Sequence, residues 1–187
     1  MERKIFIILA CIFFIVGCAS VQNQSHFTEN TFFCDYPKLE VKILKDVLKQ
    51  TEKSKQGKGW TMFTHWFKIS SAEYVGVRIW RFGYNSNAEW QSSDEQILIN
   101  IGMVPLDQAD INDKTWVKFA YLRHENWVDF GYFRRIDNNL VAVFCEINNK
   151  KYKDEIESLK KTRVLTEKHK QLINQAFEYL EKAFVIG

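Results

Sequence analysis

The stretch WVDFGYFRRIDNNLVAVFCEI, residues 127–147, is typical of two neighbouring β-strands joined by a tight turn. In its first half Val128, Phe130 and Tyr132 alternate with other residues, so they project to one face of a strand. Its second half, LVAVFCEI, is a nearly continuous apolar run, which indicates a more deeply buried strand. The turn residues RIDNN leave little chain between the two halves, so we expect the strands to pair antiparallel.

Four further windows alternate with the same period of two and are predicted as strands. They are WTMFTHWFKI at 60–69, YVGVRIW at 74–80, QILINIG at 96–102 and WVKFAYL at 116–122. The stretches between them, including 83–95 and 105–114, are rich in turn residues. This pattern predicts a single α+β domain built on an antiparallel meander sheet of about six to eight strands.

The C-terminal segment is predicted to be an amphipathic helix that covers the sheet. From Glu167 onward, apolar residues recur at helical spacing, and Thr166 is a suitable N-cap. The apolar positions are Leu172, Ile173, Ala176, Phe177, Leu180, Ala183 and Phe184. A shorter charged helix, with Tyr152, Ile156 and Leu159 as its apolar residues, is predicted just before it. The segment at 39–48 fits either a strand or a helix, and its β-branched residues favour a strand from Leu39 to Leu44.

The N-terminus has the order of a secretory signal peptide. Arg3 and Lys4 are followed by the uncharged apolar run IFIILACIFFIV at 5–16, which is shorter than the roughly 20 residues that a spanning helix needs. Gly17 is a small residue directly before Cys18.

The sequence IVGC at 15–18 resembles the lipobox of bacterial lipoproteins. The resemblance covers residues 1–18 alone. It implies cleavage of residues 1–17, a diacylglyceryl group on Cys18 and a polar lipidated tether at 18–31, followed by the domain at 32–187. Two acyl chains suffice for stable membrane anchoring. Ala19 resembles the residue found in proteins sorted to the outer membrane, which implies the periplasmic face of that membrane if the host is diderm.

Cleavage and lipidation leave two of the four cysteines, Cys34 and Cys145, for structural use. An oxidising compartment favours disulfides, so we predict a bridge between these two. Two separately buried thiols are the alternative.

Familiar catalytic and metal-binding motifs are absent from the sequence. His124 and Glu125 are adjacent, but on a strand they would face opposite sides. His65 lies among aromatic residues and is interpreted as a packed histidine. The oxygen-rich run Asp107, Asp110, Asn112 and Asp113 suits Ca²⁺ in ligand type. Its spacing is not that of an EF-hand, so we predict neither a metal site nor a cofactor.

Six tryptophans are many for 187 residues, and Trp90 in the polar stretch NAEWQSSD is predicted to be exposed and to contact a partner. The formal net charge of +3 implies no strong overall field. We therefore expect a membrane-anchored lipoprotein that binds another envelope protein without catalysis. The alternative is a periplasmic enzyme of hydrolase type whose site is assembled in space. The lipid anchor implied at Cys18 argues against a nucleic-acid partner.

Overall fold

A seven-stranded antiparallel sheet forms the centre of the protein. The structure is a computed structural model that describes residues 25–57, 59–82 and 92–187. The elements in chain order are β1 (Ser25–Thr28), β2 (Thr31–Cys34), β3 (Leu39–Ile43), β4 (Lys49–Gly57), β5 (Trp60–Ser70), β6 (Glu73–Phe82), α1 (Asp94–Asn100), β7 (Val104–Ile111), β8 (Lys114–Leu122), β9 (Trp127–Ile136), β10 (Asn139–Asn148), α2 (Lys150–Thr162), α3 (Glu167–Glu181) and β11 (Phe184–Ile186).

The large sheet consists of two meanders, one formed by β4 to β6 and the other by β7 to β10. Its order is β4-β5-β6-β10-β9-β8-β7, so β6 pairs with β10 where the meanders meet. A second, four-stranded sheet has the order β1-β2-β3-β11. The predicted α+β class, antiparallel sheet and C-terminal helix are confirmed, whereas the sequence analysis did not anticipate the second sheet. Its strands are only three to five residues long, which gives little room for a periodic signal.

One face of the large sheet carries the main core. Val75, Val77 and their neighbours in β9 and β10 pack against the small sheet, α2 and α3. The aromatic ring of Phe177 on α3 lies edge-on to Phe130 and Tyr132 of β9. Thr166 caps α3 by accepting a hydrogen bond from the backbone of His169, as its sequence predicts. Helix α2 is also present as expected.

The opposite face of the large sheet carries a smaller core at one end. Helix α1 covers it with Ile97 and Leu98, which pack against Phe119, Phe133 and Leu140. The prediction of a strand at 96–102 is therefore wrong. Ser93 accepts a hydrogen bond from the backbone of Gln96, and two acidic residues occupy the first turn, so the local capping favours a helix.

Three further sequence predictions are corrected or sharpened here. The segment at 39–48 does form a strand, β3, with alternate residues buried. The tether predicted at 18–31 is too long at its C-terminal end, because β1 begins at Ser25 and pairs with β2. The stretch at 105–114 is not all turn, since β7 occupies most of it as an edge strand. Pro105 is tolerated there because an outer strand need not donate every backbone hydrogen bond.

The predicted disulfide is not formed. Cys34 on β2 and Cys145 on β10 are both free, buried thiols. The Cys34 thiol instead donates a hydrogen bond to the carbonyl of Tyr36 at 3.3 Å. Burial raises the pKa of both thiols, so both are protonated and unreactive in the folded domain.

Candidate partner-binding surface

The face of the large sheet that points away from the small sheet, α2 and α3 is here called the open face. Helix α1 covers its apolar end. At the other end, strand alternation and register place polar and aromatic residues side by side. Four of them form an ion cluster, namely Arg78, Arg123, Asp129 and Glu146. Four others form an aromatic rim, namely Trp66, Tyr74, Tyr121 and Trp127. Together they make up the open-face patch.

Arg123 links the two carboxylates of the ion cluster. Its Nη2 donates a hydrogen bond to Glu146 Oε2 at 3.2 Å, and its Nε lies 3.5 Å from Asp129 Oδ1. On the other side, Arg78 Nη2 lies 3.8 Å from Asp129 Oδ2. Asp129 is fully buried, with 0% exposure. The cluster is therefore a connected network of two cations and two acids within the sheet face.

Burial dominates the electrostatics of Asp129. It raises the pKa of the carboxyl to about 7, although the positive charges of Arg78 and Arg123 act to lower it. Burial also disfavours the charged form of Arg78 and therefore lowers its pKa. Within the described part of the chain, neither Asp129 oxygen has a hydrogen-bond partner. The ion pairs thus compensate only part of the cost of removing the carboxylate from water.

Gly76 makes room for the ring that supports the cluster. Phe144 on β10 pairs with Gly76 on β6 and with Gly131 on β9. A Cβ at Gly76 would lie 2.3 Å from the Phe144 ring, so the ring covers that backbone. The guanidinium of Arg78 lies 4.9 Å from the centre of the same ring, and its Nε donates a hydrogen bond to Thr64. Arg78 is consequently held in place by packing and by hydrogen bonding.

The aromatic rim is partly exposed and surrounds the cluster, in which Arg78, Asp129 and Glu146 are buried and Arg123 is partly exposed. Trp66 donates a hydrogen bond from its Nε1 to Glu146 Oε2 at 3.2 Å. The rings of Tyr74 and Trp127 lie 5.7 Å apart, across β6 and β9. The guanidinium of Arg123 lies 5.9 Å from the Tyr121 ring. The rim side chains are therefore tied to the cluster or to each other.

This arrangement has the chemistry of a protein-binding surface. Tryptophan, tyrosine and arginine dominate the binding energy of many interfaces, because they offer large apolar areas together with hydrogen-bonding groups. A sheet face is rigid, and anchored side chains lose little freedom on binding. The open-face patch combines both properties.

A second polar group lies near the main core, around His65. Its Nε2 is 3.4 Å from Ser25 Oγ, and its Nδ1 is 3.7 Å from a Glu52 carboxylate oxygen. The histidine is 1% exposed and packs 4.7 Å from the Phe32 ring. Burial lowers its pKa, so the imidazole is neutral at pH 7. The packed histidine expected from the sequence therefore also contacts a hydroxyl and a carboxylate.

The other residues that the sequence offered as candidates do not form a common site. His124 and Glu125 lie in an exposed turn between β8 and β9. The oxygen-rich residues at 107–113, for which no metal site was predicted, are spread along β7 and its turn. There Asn112 donates a hydrogen bond to the carbonyl of Ile186, and Asp110 accepts one from Thr115. The described ranges contain no group of three or more His, Cys, Asp or Glu that could hold a metal ion. Trp90 and Cys18 lie outside the described residues.

The ion cluster was not predicted from the sequence, although the sequence contains a signal for it. Arg78, Asp129 and Glu146 each stand alone as a charged residue within an otherwise apolar strand window. A charge at such a position is normally paired, so three of them in neighbouring strands indicate a shared network. Arg123 follows β8 and carries no comparable signal.

Comparison with known proteins gives no match to any family model, curated protein or solved structure. In the part of the chain that the structure describes, no helix is long and apolar enough to cross a membrane.

Proposed function

We propose that the protein is a bacterial envelope lipoprotein, anchored through Cys18, that binds another envelope protein through the open-face patch. The observation that supports binding is the aromatic rim, whose Trp66 and Trp127 are partly exposed around a buried ion cluster. The network below the rim keeps the surface rigid, which lowers the entropic cost of association.

The anchor is supported by the order of basic start, apolar run, Gly17 and Cys18. We propose that the lipid holds the domain at the periplasmic face of the outer membrane if the host is diderm. Replacement of Cys18 by serine in the full-length chain should abolish labelling by a radioactive or clickable palmitate and block cleavage. Normal processing together with continued membrane retention of Cys18→Ser would contradict the anchor.

The binding role is tested by capture from the native envelope. The tagged full-length chain, solubilised from its host membrane, should retain a specific protein that quantitative mass spectrometry identifies. Trp66→Ala and Trp127→Ala should each reduce recovery at least tenfold, since removal of a central aromatic contact commonly costs ~2 kcal/mol or more. Tyr36→Ala is the matched control, because Tyr36 is an exposed aromatic residue that follows β2 of the small sheet, and this sheet packs on the other face of the large sheet. Equal recovery by all variants would contradict the proposal.

A second candidate function is supported by the group around His65. His65 lies between Ser25 and Glu52, as the base of a catalytic triad lies between its nucleophile and its orienting carboxylate. We propose as the alternative that Ser25 Oγ attacks an ester carbonyl while neutral His65 accepts its proton. The ester C–O bond then breaks, and the alcohol leaves with the proton from His65. Water hydrolyses the acyl-serine, with His65 again accepting and returning the proton. A fluorophosphonate probe should then label Ser25, and the label should be lost in Ser25→Ala and His65→Gln but kept in Ser54→Ala. No label, or a label that survives Ser25→Ala, would exclude this reading.

A further inference from the structure

Strand β4 is a long and fully exposed edge. All nine of its residues are exposed, so neither of its faces is buried beneath another element. It pairs with β5 on one side and is the outermost strand of the large sheet. Among the described residues no strand lies against its other side. An edge of this length offers a row of backbone groups to an incoming strand.

The charges of β4 are segregated by face. Register places Lys53 opposite Thr64 and Lys55 opposite Met62, on the open face, together with Lys49. Lys49 lies directly opposite Lys68 of β5, and like charges at directly opposite positions are mutually destabilising. Lys53 Nζ also lies 5.8 Å from the Trp66 ring. The positive strip therefore runs from the edge to the aromatic rim, and an anionic partner would relieve its repulsion.

We propose that an extended, acidic segment of the partner protein pairs with β4 and forms an eighth strand of the large sheet. Its alternate acidic side chains face Lys49, Lys53 and Lys55, and its other contacts continue onto the rim at Trp66. This inference rests on the proposed binding function and specifies the class of partner.

The charge pattern favours this occupant over a second copy of the chain. Full antiparallel overlap of two β4 strands would place Lys53 opposite Lys53, and the repulsion would oppose pairing. A membrane surface is a weaker fit, because β4 has no apolar side chain that could enter the lipid interface. A protein strand with acidic residues satisfies both the backbone groups and the lysines.

The test places a photo-crosslinking amino acid at Thr51 on β4, or at Tyr74 on the rim, in the full-length chain in its native membrane. We expect Thr51 to crosslink to an acidic segment of another protein. A synthetic peptide of that segment should bind the domain and slow amide hydrogen exchange in β4. Lys53→Glu with Lys55→Glu should weaken binding at least tenfold. Lys42→Glu with Lys114→Glu is the control, since both lysines are exposed on other strands, and it should leave binding unchanged.

The remaining outcomes overturn the inference in distinguishable ways. A crosslink at Tyr74 without one at Thr51 would leave the binding function standing and exclude the edge. The absence of a crosslink at both Thr51 and Tyr74 would count against the proposed binding function as well as against the β4 edge. A crosslink to a second copy, to a segment without acidic residues, or one that survives the charge reversal would exclude the acidic strand. Binding of the mature domain to vesicles with 30% anionic lipid, lost in the same double variant, would assign the strip to the membrane instead.

Discussion

The ring of Phe144 lies directly over the backbone of Gly76, and this contact supports the open-face patch. A side chain at Gly76 would have to occupy space that the ring fills. The ring in turn lies under the guanidinium of Arg78. A glycine in the middle of β6 is thus explained by the close approach of a neighbouring side chain.

Replacement of Gly76 by alanine should destabilise the domain by about 1–3 kcal/mol, because the added methyl group displaces the Phe144 ring. The free energy of unfolding from urea titration measures this. The double variant Gly76→Ala with Phe144→Leu should recover part of the loss, since leucine leaves room for the methyl group. Additive losses in the double variant would show that the two residues are not coupled.

The ion cluster should make stability depend on pH in a specific direction. Because burial raises the pKa of Asp129 from 3.8 to about 7, the folded state holds its proton more tightly than the unfolded chain. The stability that this group contributes is present below about pH 4 and is lost as the pH rises toward 7. The charged groups that face Asp129 are Arg78, Arg123 and Glu146. All three are retained when Asp129 alone is replaced.

Asp129→Asn removes this titration while preserving the shape of the protonated acid. Between about pH 4 and 7, the free energy of unfolding of the wild type should fall relative to that of Asp129→Asn by up to about 1.4 kcal/mol per pH unit. Chemical denaturation at steps of half a pH unit measures this difference. His65, whose pKa is lowered by burial, has the opposite effect on stability. Because both proteins contain His65, its contribution cancels in the difference. Parallel curves, or a wild type that gains stability with rising pH relative to the variant, would mean that Asp129 is ionised throughout.

The two structural cysteines should react only after unfolding. The mature chain, purified without reductant, should gain two iodoacetamide groups in denaturant, on Cys34 and Cys145, and almost none when folded, because both thiols are buried. Intact mass spectrometry counts the groups. Absence of label on both residues in denatured, unreduced protein would contradict the two free thiols.

The strands that the sequence predicted correctly are those with at least one face in the hydrophobic core. In β9, for example, Val128, Phe130 and Tyr132 alternate toward the core, and this period is visible without any structure. Strand β4 has no buried side chain, so its composition gave no such signal and it was missed. Strand formation there depends on pairing with β5, which is a tertiary effect.

The errors at α1 and in the ion cluster have different causes. A short apolar run such as ILI at 97–99 fits both a helix and a strand, and the capping by Ser93 decides between them. The ion cluster joins residues from separate strands, and only the strand order β6-β10-β9 brings them together. Alternation could place Asp129 opposite the core face of β9, but not beside Arg78.

Oxidative footprinting measures whether a protein partner in the envelope covers the open-face patch. Hydroxyl radicals are applied to the full-length chain in its native membrane and to the purified mature domain, and modification of each aromatic residue is quantified by mass spectrometry. If a partner covers the patch, Trp66, Tyr74 and Trp127 should be modified several-fold more slowly in the membrane, while Tyr36 should be modified equally in both samples. Equal rates for the three patch residues in both samples would contradict binding of a partner there.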